Sequence, residues 1–199
     1  MNKFVIATSA LLILAGCSTA PPNGPVDENI LVHLPIPDSD WSIRSGERGN
    51  ESIRMWEKEN ELFKITINHN RFRPEPAQFR LGMDEVAEKN LTTDFHSKEL
   101  KEGSVNNYPM ILWQTEATLK SGSKALSLLL YIKGNDATYL VDRRWIDMQV
   151  PDEEKQLWIN YMLSISVCDN RFPEHKSPKM EEQWPGFYFR TDVTNGIKQ

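Results

Sequence analysis

Few of the side chains able to do chemistry in this sequence are spaced to do it together. The four histidines, His33, His69, His96 and His175, are scattered, and none has the paired spacing from which a zinc site is built. The spacing-defined motifs of zinc proteases, serine hydrolases, phosphate-binding loops and dinucleotide folds are absent, so the sequence assigns no catalytic residue, no metal and no cofactor. Three polar groupings remain. His69 stands beside Asn70, Arg71 and Arg73, and guanidinium forks of that kind suit an anion or a partner's carboxylate. A solvated strand end explains the same residues. Asp142, Arg143 and Arg144 precede Trp145, where charge pairing across sheet neighbours suffices. Asp152, Glu153 and Glu154 follow Pro151; a proline and carboxylates are what a helix start favours, before any role as acid or base.

Cys17 has a different context. Lys3 is followed by the apolar run Phe4 to Leu14 and then by Leu14-Ala15-Gly16-Cys17. That run is too short to span a bilayer, which takes about 20 apolar residues, but it has the length of a secretory signal core. Leu-Ala-Gly-Cys resembles the lipobox of bacterial lipoproteins. The resemblance implies a signal peptide over residues 1–16, cleavage before Cys17, a diacylglyceryl group on its sulfur and an acyl chain such as palmitate on its new amino group. Ser18 in place of Asp implies the outer membrane, the domain facing the periplasm. An ordinary signal peptide, or a buried helix with Cys17 incidental, is the competing reading. Two or more acyl chains, at about 0.8 kcal/mol per buried methylene, hold a protein to lipid durably, so the fold itself need not touch the membrane.

The remaining chain suits one domain with a real core. Its 23 Lys and Arg against 28 Asp and Glu give a net charge of −5. Losing Lys3 makes it more acidic, which is the wrong sign for a nucleic-acid binder. With Cys17 lipidated only Cys168 is left, so no intramolecular disulfide forms. Residues 17–29, with three prolines, a glycine and no aromatic residue, read as a lipidated cysteine and solvated spacer. A globular domain over 30–169 and an aromatic tail over 170–199 packed on it complete the expected organisation.

Within that domain the pattern predicts an α+β fold, an antiparallel sheet with flanking helices. Residues 30–37 read as an edge strand broken by prolines. Ile53 to Glu57 and Leu62 to His69 form a hairpin with Phe63, Ile65 and Ile67 on its buried face. Asn70 to Gly82 reads as a loop because of Pro74-Glu75-Pro76. The four-residue spacing of Ala87, Leu91 and Phe95 after Asp84 predicts a helix over Met83 to His96, followed by a polar loop to Pro109. Strands are expected over Met110 to Leu119, Lys124 to Lys133 and Ala137 to Trp145. A helix from Pro151 carries Trp158, Tyr161, Ile165 and Cys168 on one stripe, making Cys168 a buried small hydrophobe. Trp184, Phe187, Tyr188 and Phe189 are read either as a closing strand or as docking anchors for a protein.

This order, with Pro37 and Trp41 ahead of a hairpin, a helix, three antiparallel strands ending in the aromatic-rich Tyr139 to Trp145, and a closing helix, is similar to PsbP-like domains. The resemblance covers about Leu31 to Asp169 and implies a PsbP-like α/β/α sandwich in a mostly non-catalytic assembly or accessory role. The expected function is therefore a lipid-anchored, non-enzymatic envelope lipoprotein that binds or helps assemble a periplasmic or outer-membrane protein. Partner-binding candidates are Trp184, Phe187, Tyr188, Phe189, His69, Arg71 and Arg73. Alternatives are an envelope enzyme with a site assembled from distant residues such as His69 or Asp142, and an immunity lipoprotein neutralising a toxin.

Overall fold

The computed structural model describes residues 28–35, 41–172, 175 and 187–192. In chain order the strands are β1 (Glu28–Pro35), β2 (Ser42–Arg48), β3 (Glu51–Lys58), β4 (Glu61–Asn68), β5 (Thr92–Val105), β6 (Tyr108–Leu119), β7 (Lys124–Lys133), β8 (Thr138–Ile146), β9 (Ser166–Asp169) and β10 (Phe187–Asp192). Helix α1 (Pro76–Val86) lies between β4 and β5, and α2 (Asp152–Ser164) between β8 and β9. Seven strands form one antiparallel sheet in the order β2-β3-β4-β8-β7-β6-β5, and β10-β1-β9 form a second, smaller sheet. The class is mixed α+β, mostly antiparallel sheet with two helices.

The hairpin of β3 and β4 pairs Trp56 with Phe63 around a turn in which Glu59 has φ 40°. Phe63, Ile65 and Ile67 are buried, as their alternation requires. The three expected central strands correspond to β6, β7 and β8 within two residues at each end. Alternation then sorts their side chains between two faces. Met110, Leu112, Leu128, Leu130, Ile132, Tyr139, Val141 and Trp145 join the β4 residues on one face, beneath Trp158, Tyr161 and Met162 of α2 and Ile30, Val32 and Val167 of the small sheet. Ile111, Trp113, Leu129 and Tyr131 point the other way, where Phe79 of α1 covers them. Phe79 stacks on Tyr131 with ring centroids 4.0 Å apart, and the Tyr131 hydroxyl donates to the Pro74 carbonyl at 3.0 Å. One helix thus lies on each face.

Several expectations are corrected. Pro76 does not extend a loop; it begins α1 at the first helical position, where its missing N–H is one of the groups that lacks an intrahelical partner anyway. The helix expected over Met83 to His96 ends at Val86, and Asp84 is not its cap but sits inside α1, 3.5 Å from Arg80 one turn back. After one π-helical turn (Ala87–Leu91) the β-branched pair Thr92-Thr93 opens β5, so the spacing of Ala87, Leu91 and Phe95 marks no common helical face. Leu91 is accordingly exposed. The polar loop expected before Pro109 is the second half of β5 plus a two-residue turn. Asn106 and Asn107, with φ 47° and 66°, make the left-handed pair that a tight hairpin demands. A further strand, β2, lies where none was expected, and all of it is exposed.

The C-terminal stripe is also split. Trp158 and Tyr161 are buried on α2, but Ile165 is already extended at its C-cap and Cys168 lies in β9, half-buried. Strand β1 begins at Glu28, two residues before the expected domain boundary, and it is the central strand of the small sheet rather than an edge. Its register slips between His33 and Pro35, consistent with a proline that cannot donate to a ladder. Among the described residues no helix is long and apolar enough to cross a membrane.

Candidate functional site

Antiparallel pairing brings the end of β4, the β7–β8 turn and the start of β1 to one end of the sheet. Asn68 faces Thr138, and Thr138 faces Lys133, so residues 69–75 neighbour residues 134–137. Glu28 enters this corner fully buried. Its carboxylate accepts the backbone N–H of Asn135 at 2.6 Å, those of Asp136 and Ala137 at 3.2 and 3.3 Å, and the Tyr139 hydroxyl at 2.8 Å. Three backbone donors aimed at one carboxylate form an anion nest. Gly134 permits the approach, because a Cβ there would lie 2.0 Å from a Glu28 oxygen.

A second buried carboxylate extends the cluster. Asp169 of β9 accepts from Arg171 Nε at 2.8 Å and Nη2 at 2.6 Å, and from the Tyr108 hydroxyl at 3.2 Å. The Arg171 hydrogen bonds hold its carboxyl below the usual carboxylate range. Burial, and then Glu28, push the Tyr108 and Tyr139 hydroxyls well above theirs, so both remain donors. Arg171 also pairs with Asp136 at 2.7 Å, and the Asp136 carbonyl accepts Arg73 Nη2 at 2.7 Å. The Asp169 N–H donates to His175 Nδ1 at 3.3 Å. A cleft of about 320 Å³ opens beside them, lined by Glu75, Asn107, Tyr108, Lys133, Asn135 and His175 among others.

The grouping His69, Arg71 and Arg73 does reach this corner, but its members fare differently. His69 lies one residue beyond β4 and is exposed, its N–H bonded to the Asn50 carbonyl at 2.8 Å. Partial burial, and then Arg73, lower its imidazole pKa. Arg73 is committed to the β7–β8 turn, although its Nε is buried without a hydrogen-bond partner. Arg71 is exposed and has no ion-pair partner among the described residues.

The other polar groupings lie elsewhere. Arg143 points into the core between Trp145 and Trp158, 4.2 and 4.4 Å from their ring centroids, with Glu61 and Glu154 as its ion-pair partners. Burial lowers its pKa. Asp142 and Arg144 face the opposite way. Asp142 is 2% exposed, 2.8 Å from Arg144 and 3.8 Å from Lys64, with Oδ1 unpaired. Asp152, Glu153 and Glu154 do start α2, and Glu154 accepts the Trp145 indole N–H at 3.1 Å. Cys168 accepts from Asn106 Nδ2 at 3.4 Å. Phe187, Tyr188 and Phe189 lie in β10, whose backbone pairs with β1; Cys17 and Trp184 lie outside the described residues. Among the described residues no group of three or more His, Cys, Asp or Glu is placed to hold a metal ion.

Sequence reading missed Glu28, Asp169 and the two tyrosines as one cluster. The available signal was Glu28 directly ahead of Ile30-Leu31-Val32 together with Gly134-Asn135-Asp136, a turn rich in N–H groups turned outward. Chemically the arrangement is a polar clamp: the Glu28 and Asp169 carboxylates are each met by several donors, while Arg73 Nε is left without an acceptor.

No protein-family model matches the chain. No curated protein matches it either. Among solved structures it is similar to LpqN, described as involved in cell envelope biogenesis of Mycobacterium tuberculosis, at 13% identity over 73% of this chain and 87% of that one, with a TM-score of 0.37. So loose a likeness transfers neither fold nor role.

Proposed function

We propose that the chain is a lipid-anchored, non-enzymatic envelope lipoprotein that binds or helps assemble a periplasmic or outer-membrane protein. The observation that carries this reading is Leu14-Ala15-Gly16-Cys17 at the end of a short apolar run, with Ser18 favouring the outer membrane. The domain's polar clusters support a binding rather than a catalytic role, because Glu28, Asp169 and Arg143 are spent on holding strands, turns and a helix together. A helix on each face of an antiparallel sheet is compatible with the PsbP-like sandwich, which stays part of this proposal. The partner surface then draws on Arg71, His69 and the β10 segment with Phe187, Tyr188 and Phe189.

Cys17→Ala tests the anchor. Metabolic labelling with a palmitate analogue should mark the natural chain and leave the variant unlabelled and unprocessed. A labelled, normally processed variant would sink the assignment. Cross-linking in intact cells, with identification of the captured protein, addresses the partner, and capture of none from the envelope would count against the assembly role.

A further inference from the structure

We propose that the loop carrying Arg71, Phe72 and Arg73 rests on the lipid surface in which Cys17 is anchored, Phe72 entering among the headgroups and Arg71 meeting lipid phosphate; this rests on the lipidation reading above. Phe72 is 81% exposed, the most of any large hydrophobic side chain among the described residues. A single exposed aromatic needs no explanation by itself. Its place does. Arg73 donates to the carbonyl of Asp136, and the N–H of that same residue is held by Glu28. Phe72 is therefore bonded, through one neighbour, to the turn that grips the first described residue of β1, where the chain coming from Cys17 joins the domain.

The length of that connection sets the geometry. The ten residues between Cys17 and Glu28 reach at most about 35 Å when fully extended, comparable to the diameter of a domain of this size. The corner holding Glu28 is consequently the part of the domain that the connection keeps within about 35 Å of the anchored cysteine. Most acids of this corner are paired or buried, Glu47 near His69 being the exception. Asp136 is matched by Arg171, Glu75 by Lys133, and Glu28 and Asp169 are buried, while Arg71 is left with no ion-pair partner among the described residues. An apolar ring beside a guanidinium is a pairing that settles at a headgroup layer, and a basic residue is drawn to an anionic leaflet. An aqueous protein partner on the same loop is the alternative the test separates.

The test uses the full, processed chain in vesicles of phosphatidylethanolamine with phosphatidylglycerol. Phe72→Trp places an indole at a position exposed enough to accept it. With lipids brominated near the glycerol, the emission added by the substitution should be quenched and should resist aqueous acrylamide, and Arg71→Glu should reverse both. Added emission that acrylamide quenches freely and bromine does not would overturn the proposal while leaving the anchor intact. Trypsin cleavage after Arg71 in the unsubstituted protein, slow on vesicles and fast once they are dissolved, gives an independent reading; equal rates would overturn it. A chain whose mass shows no acyl groups overturns the anchor and this docking geometry together.

Discussion

Glu28 and Arg143 are both buried charges, at opposite ends of β8, and they are neutralised by different means. Glu28 is met by backbone N–H groups of one turn and a tyrosine hydroxyl, donors fixed by the fold itself. Arg143 is met by two indole faces and by Glu61 and Glu154, whose side chains are 21% and 37% exposed. The first arrangement has no apolar substitute, because removing the acceptor strands donors that cannot turn away. The second does: its carboxylates already touch water, and its ring contacts ask mainly for a long, flat-packing side chain. A buried charge is therefore no single kind of object. One here locks the start of β1 to the turn between β7 and β8; the other fills the space between α2 and β8.

Substitution should separate them. Glu28→Ala leaves three backbone N–H groups and the Tyr139 hydroxyl without their acceptor, each costing about 1 to 3 kcal/mol when buried. A total loss of at least about 4 kcal/mol is expected, read from the urea midpoint at constant slope. Glu28→Gln should recover little, since its NH₂ meets donors. Full recovery by Gln would mean that shape, not acceptance, is what the nest requires.

Arg143 should behave the other way in a paired experiment. Arg143→Ala opens a gap between Trp145 and Trp158 and removes the partner of Glu61, so about 3 kcal/mol should be lost. Arg143→Met keeps the length without the charge and should lie within about 1 kcal/mol of the natural protein. Equal losses for Ala and Met would show that the ion pairs hold this corner, and the contrast with Glu28 would fail.

How much of this was legible in the sequence follows from the range over which each feature is written. Strands β4, β6, β7 and β8 were readable because period-2 alternation and short turns are local. The stretch from Pro76 to His96 is ambiguous locally, because the coincidental spacing of Ala87, Leu91 and Phe95 competes with Thr92-Thr93, and because a proline marks a break and a helix start alike. β2 carries a single large apolar residue, Ile43, and is fixed only by pairing with β3. The clamp was illegible for a stronger reason: Glu28 meets residues more than a hundred positions away, and only topology decides that. Of the candidate binding residues, His69 and Arg73 follow a strand end that is legible in the sequence, whereas the neighbouring Asp136 is visible there only as a turn former.

The smallest expected effect sharpens the contrast by acting on the Glu28 corner alone. His69 and Asp169 both have pKa values lowered in the folded protein, by partial burial and Arg73 in one case and by Arg171 in the other. A group whose folded pKa is depressed contributes stability that is present above its unfolded value and lost as pH falls through the folded one. Descending from neutral pH, stability should first fall below the ordinary histidine value of 6.5 and fall again below the ordinary carboxylate value of 3.8. His69→Gln should abolish the first decline and leave the second, as judged from urea midpoints across that range. Arg143, whose carboxylate partners reach solvent, should leave the upper window untouched, so Arg143→Met should retain the first decline in full. If His69→Gln leaves the profile unchanged, the imidazole is not coupled to Arg73, and the two ends of β8 are less different than their hydrogen bonds suggest.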